Sequence, residues 1–182
     1  MSIFPIHTPE TAPEASRPLL AQAKAQFGFV PNILSGLAES PAALEAYMTA
    51  MGIFHRGSFS EAERDLVLIA ISARNGCDYC VAAHSTQGAS HGLSAEDLAA
   101  IRDRVPLSDP RLEALRRFVD TLVDKRGWVG EDDVQAFLAA GFERPQVLEL
   151  LVAVAAKTLS NYANHLIGTP IDDQFAAQAA TA

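Results

Sequence analysis

An all-helical fold in a single domain is predicted by three features of the chain. Apolar residues recur at three-to-four spacing in most segments, no long alternating run appears, and no Gly-, Ser- or Pro-rich linker divides the 182 residues. The length is that of one ordinary domain. With 49% apolar and 20% charged residues, the chain can bury a full core.

Each element has its own signal. Residues 1–16 read as irregular, with Pro5, Pro9 and Pro13 as breakers. A first helix is expected over Arg17–Phe27, stopped by Gly28, and the turn Val30-Pro31-Asn32 leads into a short helix from Ile33 to Glu39. Ser40-Pro41 supplies an N-cap and a first-turn proline for a helix to about Phe54. Ser58 or Ser60 caps the next, where Glu61 and Glu63 suit the positive end of the dipole and Asn75-Gly76 stops the run. A helix is then expected from Cys77 to about His91, a short one after Ser94, and a longer one from Pro110 to Lys125. A short helix covers Glu131–Ala140, and Pro145 opens a final long one through Leu166. The Ala-rich tail Phe175–Ala182 reads as frayed or docked, and Trp128 as a loop anchor.

Charge and apolar runs narrow the function. The net charge is −8, so nucleic acid is not an expected partner, because a phosphate backbone needs a basic footprint. Arg116, Arg117, Lys125 and Arg126 lie among acids and read as a solvated face. No apolar run approaches the ~18 residues of a membrane span. Met1–Pro18 lacks the layout of a signal peptide, so a cytoplasmic location is expected. The two cysteines stand three residues apart. In a reducing compartment such a pair points to redox or metal chemistry rather than to a structural staple.

The chemistry concentrates in Cys77-Asp78-Tyr79-Cys80 and His84. At about 100° per residue, Cys77, Cys80 and His84 fall on one helix face. Cys77 at the helix start meets unpaired amides and the positive dipole end, a setting that lowers a thiol pKa. A disulfide across one turn closes too short a loop to add much stability, so its expected use is redox cycling. His84 stands ready to exchange a proton beside Cys80. Asp65 precedes Cys77 by twelve residues. If the chain reverses at Asn75-Gly76, Asp65 is expected to face His84 and orient its imidazole. Tyr79 reads as packing. Asn161 and His165 read as a buried hydrogen-bonding pair or as part of a pocket, and His7, His55 and His91 as surface residues.

The stretch Asn75-Gly76-Cys77-Asp78-Tyr79-Cys80-Val81-Ala82-Ala83-His84 resembles the core motif of the AhpD-like, carboxymuconolactone decarboxylase superfamily. Gly28-Phe29-Val30-Pro31-Asn32, Ser40-Pro41 and Asn161-Tyr162-Ala163-Asn164-His165 resemble its uncharacterised peroxidase-related branch. The resemblance spans about residues 26 to 171. It implies an AhpD-like helical bundle assembled as a homo-oligomer, a trimer or hexamer. It also implies peroxide reduction with no cofactor and no metal. Cys80 would attack the peroxide, Cys77 would close the disulfide, and an external dithiol would reopen it. His84 would belong to a proton relay ending at a carboxylate. Two departures stand out: the relay acid of the family is usually Glu where this chain has Asp65, and well-studied members carry His where this chain has Tyr79.

Other chemistries use the same residues. A general dithiol–disulfide oxidoreductase needs only the cysteine pair. A decarboxylase of the same superfamily has no need of two thiols. A zinc site would add His91 to Cys77, Cys80 and His84, but ligands on one helix face close a tetrahedron poorly. A helical binding module would leave both thiols unreactive.

Overall fold

The computed structural model describes residues 3–179. Among them are nine α-helices, two short 3-10 turns and no strand. The helices are α1 Arg17–Phe27, α2 Asn32–Leu37, α3 Pro41–His55, α4 Glu61–Arg74, α5 Asp78–Ser90, α6 Ala95–Asp103, α7 Pro110–Asp124, α8 Glu131–Ala139 and α9 Arg144–Ile167. Most boundaries fall within a residue or two of those expected. Ser60, not Ser58, caps α4: its hydroxyl accepts from the Glu63 amide while the Glu63 carboxylate accepts from the Ser60 amide.

Helix α4 is the central element. Leu66 through Ile71 are all buried, so this helix is apolar around its whole circumference and has neighbours on every side. It packs against α5, α6, α7 and α9. One hydrophobic cluster fills the space between α4 and α6 to α8, with a ladder of stacked rings from Phe118 through Phe137 to Phe142 at 4.5 and 4.4 Å. A second cluster lies between α1 to α3, the start of α5 and α9, and it contains Tyr47, Cys77, Tyr79 and Cys80. Met51 packs against both.

Both ends of the described chain pack against its body. Residues 3–13 carry no helix, in line with the irregular segment expected, and Glu14–Ser16 forms a 3-10 turn whose buried Ser16 hydroxyl donates to the Ala38 carbonyl at 2.8 Å. The tail docks rather than frays up to its last described residue. Asp173–Gln178 forms a 3-10 turn, and Phe175 packs edge-on against Phe29 and Tyr79. The Asp172 carboxylate accepts from the Asn32 amide and, at 2.5 Å, from the Tyr79 hydroxyl. The final three residues of the expected tail lie outside the described residues. Trp128 is 86% exposed and anchors no loop.

Leu66 is fully buried at the centre of α4, so Leu66→Ala removes core volume that its neighbours cannot refill. A loss of about 2–5 kcal/mol is expected in denaturant unfolding. A loss under ~1 kcal/mol would show that α4 is not the core helix.

Candidate functional site

The site is built where the α4–α5 turn meets the inward face of α9. Asn75 ends α4, and Gly76 reverses the chain at φ +67°, a left-handed conformation that other residues rarely adopt. The Cys77 amide then donates to the Ser72 carbonyl at 2.9 Å, and α5 begins at Asp78. Helix α9 braces this turn from outside. The Asn75 side-chain amide donates to Asn161 Oδ1 at 2.8 Å, and His165 Nε2 meets the Gly76 carbonyl at 3.3 Å. Asn161 and His165 therefore do not pair with each other. Asn161 is buried, His165 is exposed, and both hold the turn.

Both sulfur atoms are enclosed, with Cys77 2% and Cys80 3% exposed, and both are free thiols. The Asn164 Nδ2 group reaches both, at 3.4 Å from Cys77 Sγ and 3.1 Å from Cys80 Sγ. One amide touching two sulfurs holds them in a single small space. Ser160 Oγ lies 3.9 Å from Cys80 Sγ. Lys157 is completely buried, and its positive charge acts on the Cys80 sulfur. The same ammonium donates to His84 Nε2 at 2.9 Å.

This arrangement splits the two thiols. Burial opposes ionisation of Cys80, but hydrogen bonding from Cys77, the Lys157 charge and the Ser160 hydroxyl outweigh it. Together they hold the Cys80 thiol well below its ordinary range. Hydrogen bonding to Cys80, then burial, pushes the Cys77 thiol up. Of the shared protons, the one on Cys77 stays. The lowered pKa expected at Cys77 is thus found at Cys80 instead. Cys77 is the N-cap and makes no side-chain bond to the helix amides, and its sulfur is engaged with Cys80 and Asn164.

His84 and Asp65 do not meet as expected. Burial, then the Lys157 charge, holds His84 well below the usual histidine range, so the ring is neutral and Nε2 accepts from the ammonium. Its Nδ1 has no hydrogen-bond partner among the described residues. Asp65, on α4, stands instead beside the C-terminal end of α5, where its Oδ2 is 2.6 Å from His91 Nδ1. The cause is a close helix approach. A Cβ added at Gly88 would lie 3.4 Å from the Asp65 Cβ, so Asp65 comes close to α5 one turn beyond His84. The carboxylate therefore falls beside His91, which makes His91 its partner rather than a fourth metal ligand. Burial raises the Asp65 pKa, and the bond from His91 lowers it in part.

Sequence reasoning missed Lys157, Ser160 and Asn164. With Asn161 they form a buried polar stripe at helical spacing along α9. The available signal was Lys157 itself, a lone cation inside the apolar run Val152–Leu159. Beside Cys77, a cleft of about 510 Å³ is lined by Asp78, Val81, Arg102, Gln178 and Ala179. Cys77 forms part of its wall and Cys80 does not.

Comparison with known proteins agrees with this architecture. Residues 39–121 match the carboxymuconolactone decarboxylase family. An uncharacterised protein of Cupriavidus necator is 34% identical over 62 residues, which is 34% of this chain and 55% of that protein. The chain thus spans about half the length of this curated relative. An alkylhydroperoxidase AhpD core structure, an uncharacterised peroxidase-related protein from Ralstonia eutropha JMP134, superposes with a TM-score of 0.85 at 24% identity, over 96% of this chain and 94% of that one. A peroxidase-related protein from Silicibacter sp. TM1040 gives 0.80 at 18% identity, over 97% and 93%. The debrominase Bmp8, solved with a tribromopyrrole, gives 0.77 at 13% identity, over 98% and 97%. Residues 39–121 are thus similar to the carboxymuconolactone decarboxylase family, and the all-helical fold that carries the Cys-Cys-His motif is the fold of the AhpD core structure.

Proposed function

We propose that this protein is a thiol-dependent peroxidase in which Cys80 attacks the peroxide and Cys77 closes the disulfide. The observation that carries the reading is the asymmetry of a cysteine pair bridged by one amide: the Cys80 sulfur meets Ser160 and Asn164 and the charge of Lys157, while Cys77 keeps its proton. The Cys80 thiolate attacks the terminal oxygen of a hydroperoxide, the O–O bond breaks, and the leaving alkoxide takes a proton. Cys80 becomes a sulfenic acid. The Cys77 thiol attacks that sulfur, water leaves, and the Cys77–Cys80 disulfide forms. An external dithiol returns both thiols by exchange. Neither cofactor nor metal takes part in this scheme.

The remaining expectations take their place in the same proposal. His84 acts through its bond to Lys157, and Asp65 acts on the register of α4 against α5 through His91 rather than as the end of a relay. Assembly as a homo-oligomer, trimer or hexamer, is supported by Leu148, Leu151, Tyr162 and Leu166, which stand exposed along α9. No helix of the described residues is long and apolar enough to cross a membrane, and a cytoplasmic location is part of the proposal. A general dithiol–disulfide oxidoreductase is the second reading. It is favoured by Cys77 forming part of the wall of the cleft. Faster reaction of the reduced protein with small disulfides than with peroxides would favour it.

Stopped-flow peroxide consumption with a dithiol tests the main reading. Wild type is expected to turn over and Cys80→Ser to fall to background. Cys77→Ser is expected to stop at a sulfenic acid that dimedone traps. Turnover retained by Cys80→Ser would overturn the assignment. His91→Ala strips the buried Asp65 carboxylate of its partner, and an unsatisfied buried acceptor costs about 1–3 kcal/mol. Stability is expected to fall by that amount in denaturant unfolding while the rate of disulfide formation holds within about twofold, since the pair lies outside the reacting atoms. A tenfold or larger loss of rate would restore Asp65 and His91 to the proton path.

A further inference from the structure

We propose that Lys157 carries the mobile proton of the reaction: it is charged beside the reduced Cys80, gives its proton to the leaving oxygen, and stays neutral while the disulfide exists. The inference deepens the peroxidase reading and rests on it for the chemical step. It begins from burial. Lys157 is fully enclosed in α9, and an isolated ammonium cannot stay charged in such a place without an anion or rich hydrogen bonding. The titratable groups that face it are Cys80 and His84 of α5, Cys77 at its N-cap and Tyr47 of α3. Burial keeps the Tyr47 phenol protonated, His84 is neutral, and Cys77 holds its proton. The anion opposite Lys157 is therefore the Cys80 thiolate.

Oxidation removes that anion. Once the Cys80 sulfur is bonded to Cys77, the ammonium faces no negative charge, and keeping its proton becomes costly. The reaction needs a proton at the same moment. In the first step, Cys80-S⁻ and ROOH give Cys80-SOH and RO⁻, and Lys157 protonates RO⁻ to ROH. In the second, Cys77-SH and Cys80-SOH give the disulfide and water, the Cys77 proton leaving with the hydroxide. Two protons leave the protein, two electrons pass from the sulfurs to the peroxide, and Lys157 ends as a neutral amine. When an external dithiol reopens the bond, one of its two protons goes to Cys77 and the other to Lys157.

His84 makes the device directional. Its Nε2 accepts one of the three ammonium N–H groups at 2.9 Å and so fixes where the others point. His84 is on this account a positioning residue, and the proton donor is the lysine.

Nitrogen NMR of the Lys157 side chain, assigned with Lys157→Met, tests the proposal in the full-length protein. At neutral pH the nitrogen is expected to be charged in the dithiol form and neutral after oxidation with diamide. A nitrogen charged in both forms, or neutral in both, would overturn it. This arm uses no peroxide, so its failure is separate from failure of the peroxidase reading, which would appear as no disulfide after peroxide treatment. Lys157→Arg gives the kinetic arm, because a guanidinium keeps its charge and does not release its proton. This variant is expected to retain rapid alkylation of Cys80 at neutral pH yet lose ~10²- to 10⁴-fold in peroxide-driven disulfide formation. Equal rates for the two proteins would remove Lys157 from the proton path.

Discussion

A buried ammonium needs a buried anion, and the rest of the site follows from that requirement. Lys157 has no exposure, and among the described residues it forms no salt bridge with a carboxylate. Of the groups that face it, the Cys80 sulfur is the one that gains by becoming negative there. The desolvation cost of such a pair is several kcal/mol per ion, and it is repaid only if the geometry is good and the spare hydrogen bonds are satisfied. The polar stripe of α9 supplies several such bonds. Asn164 donates to the sulfur, Ser160 stands beside it, and His84 accepts from the ammonium. Each would be an ordinary helix residue elsewhere. Together they let two opposite charges sit inside a hydrophobic cluster.

The fold supplies the geometry by holding three elements to one another. The left-handed turn at Gly76 delivers α5 directly after α4, so the cysteines enter at the edge of the core rather than on the surface. Asn161 and His165 fasten that turn to α9, and Asn164, on the same helix, reaches both sulfurs. The Tyr79 hydroxyl bonds the Asp172 carboxylate, which also receives the Asn32 amide, so α2 and the tail are packed over the same helix start. The outcome is a pair with unequal surroundings: Cys80 faces the polar stripe, and Cys77 lines the cleft. In the proposed scheme an incoming reductant attacks at Cys77, the cysteine that lines the cleft. The leaving group is then the sulfur with the lower pKa, which is the faster direction for exchange.

Helix positions were legible because their signals are local. Ser60 with Glu63, Ser40 with Pro41, and Asn75 with Gly76 mark ends through bonds made within a few residues. The Cys-Cys-His spacing was equally plain. What the sequence did not show was which side chains α9 brings across a gap of some eighty residues. Asp65 illustrates the limit. Its place relative to the turn suggested His84 as partner, but the close approach of the helices at Gly88 shifts the carboxylate toward His91. Which residues of two packed helices lie opposite one another is a tertiary fact, invisible to residue counting. Cys77 shows the same limit in another form. The dipole argument was sound for a sulfur aimed at the helix amides, and this sulfur is aimed at its neighbour instead.

The central claim is that Cys80, and not Cys77, is the ionised sulfur of the resting protein. The ultraviolet absorbance of the thiolate, followed from acid to alkaline pH in the reduced protein, reads that claim directly. One thiolate is expected to be present well below the ordinary thiol value of 9.0, to persist in Cys77→Ser and to vanish in Cys80→Ser. An early absorbance that survives Cys80→Ser, or no thiolate at all until the range of a free thiol, would contradict the account.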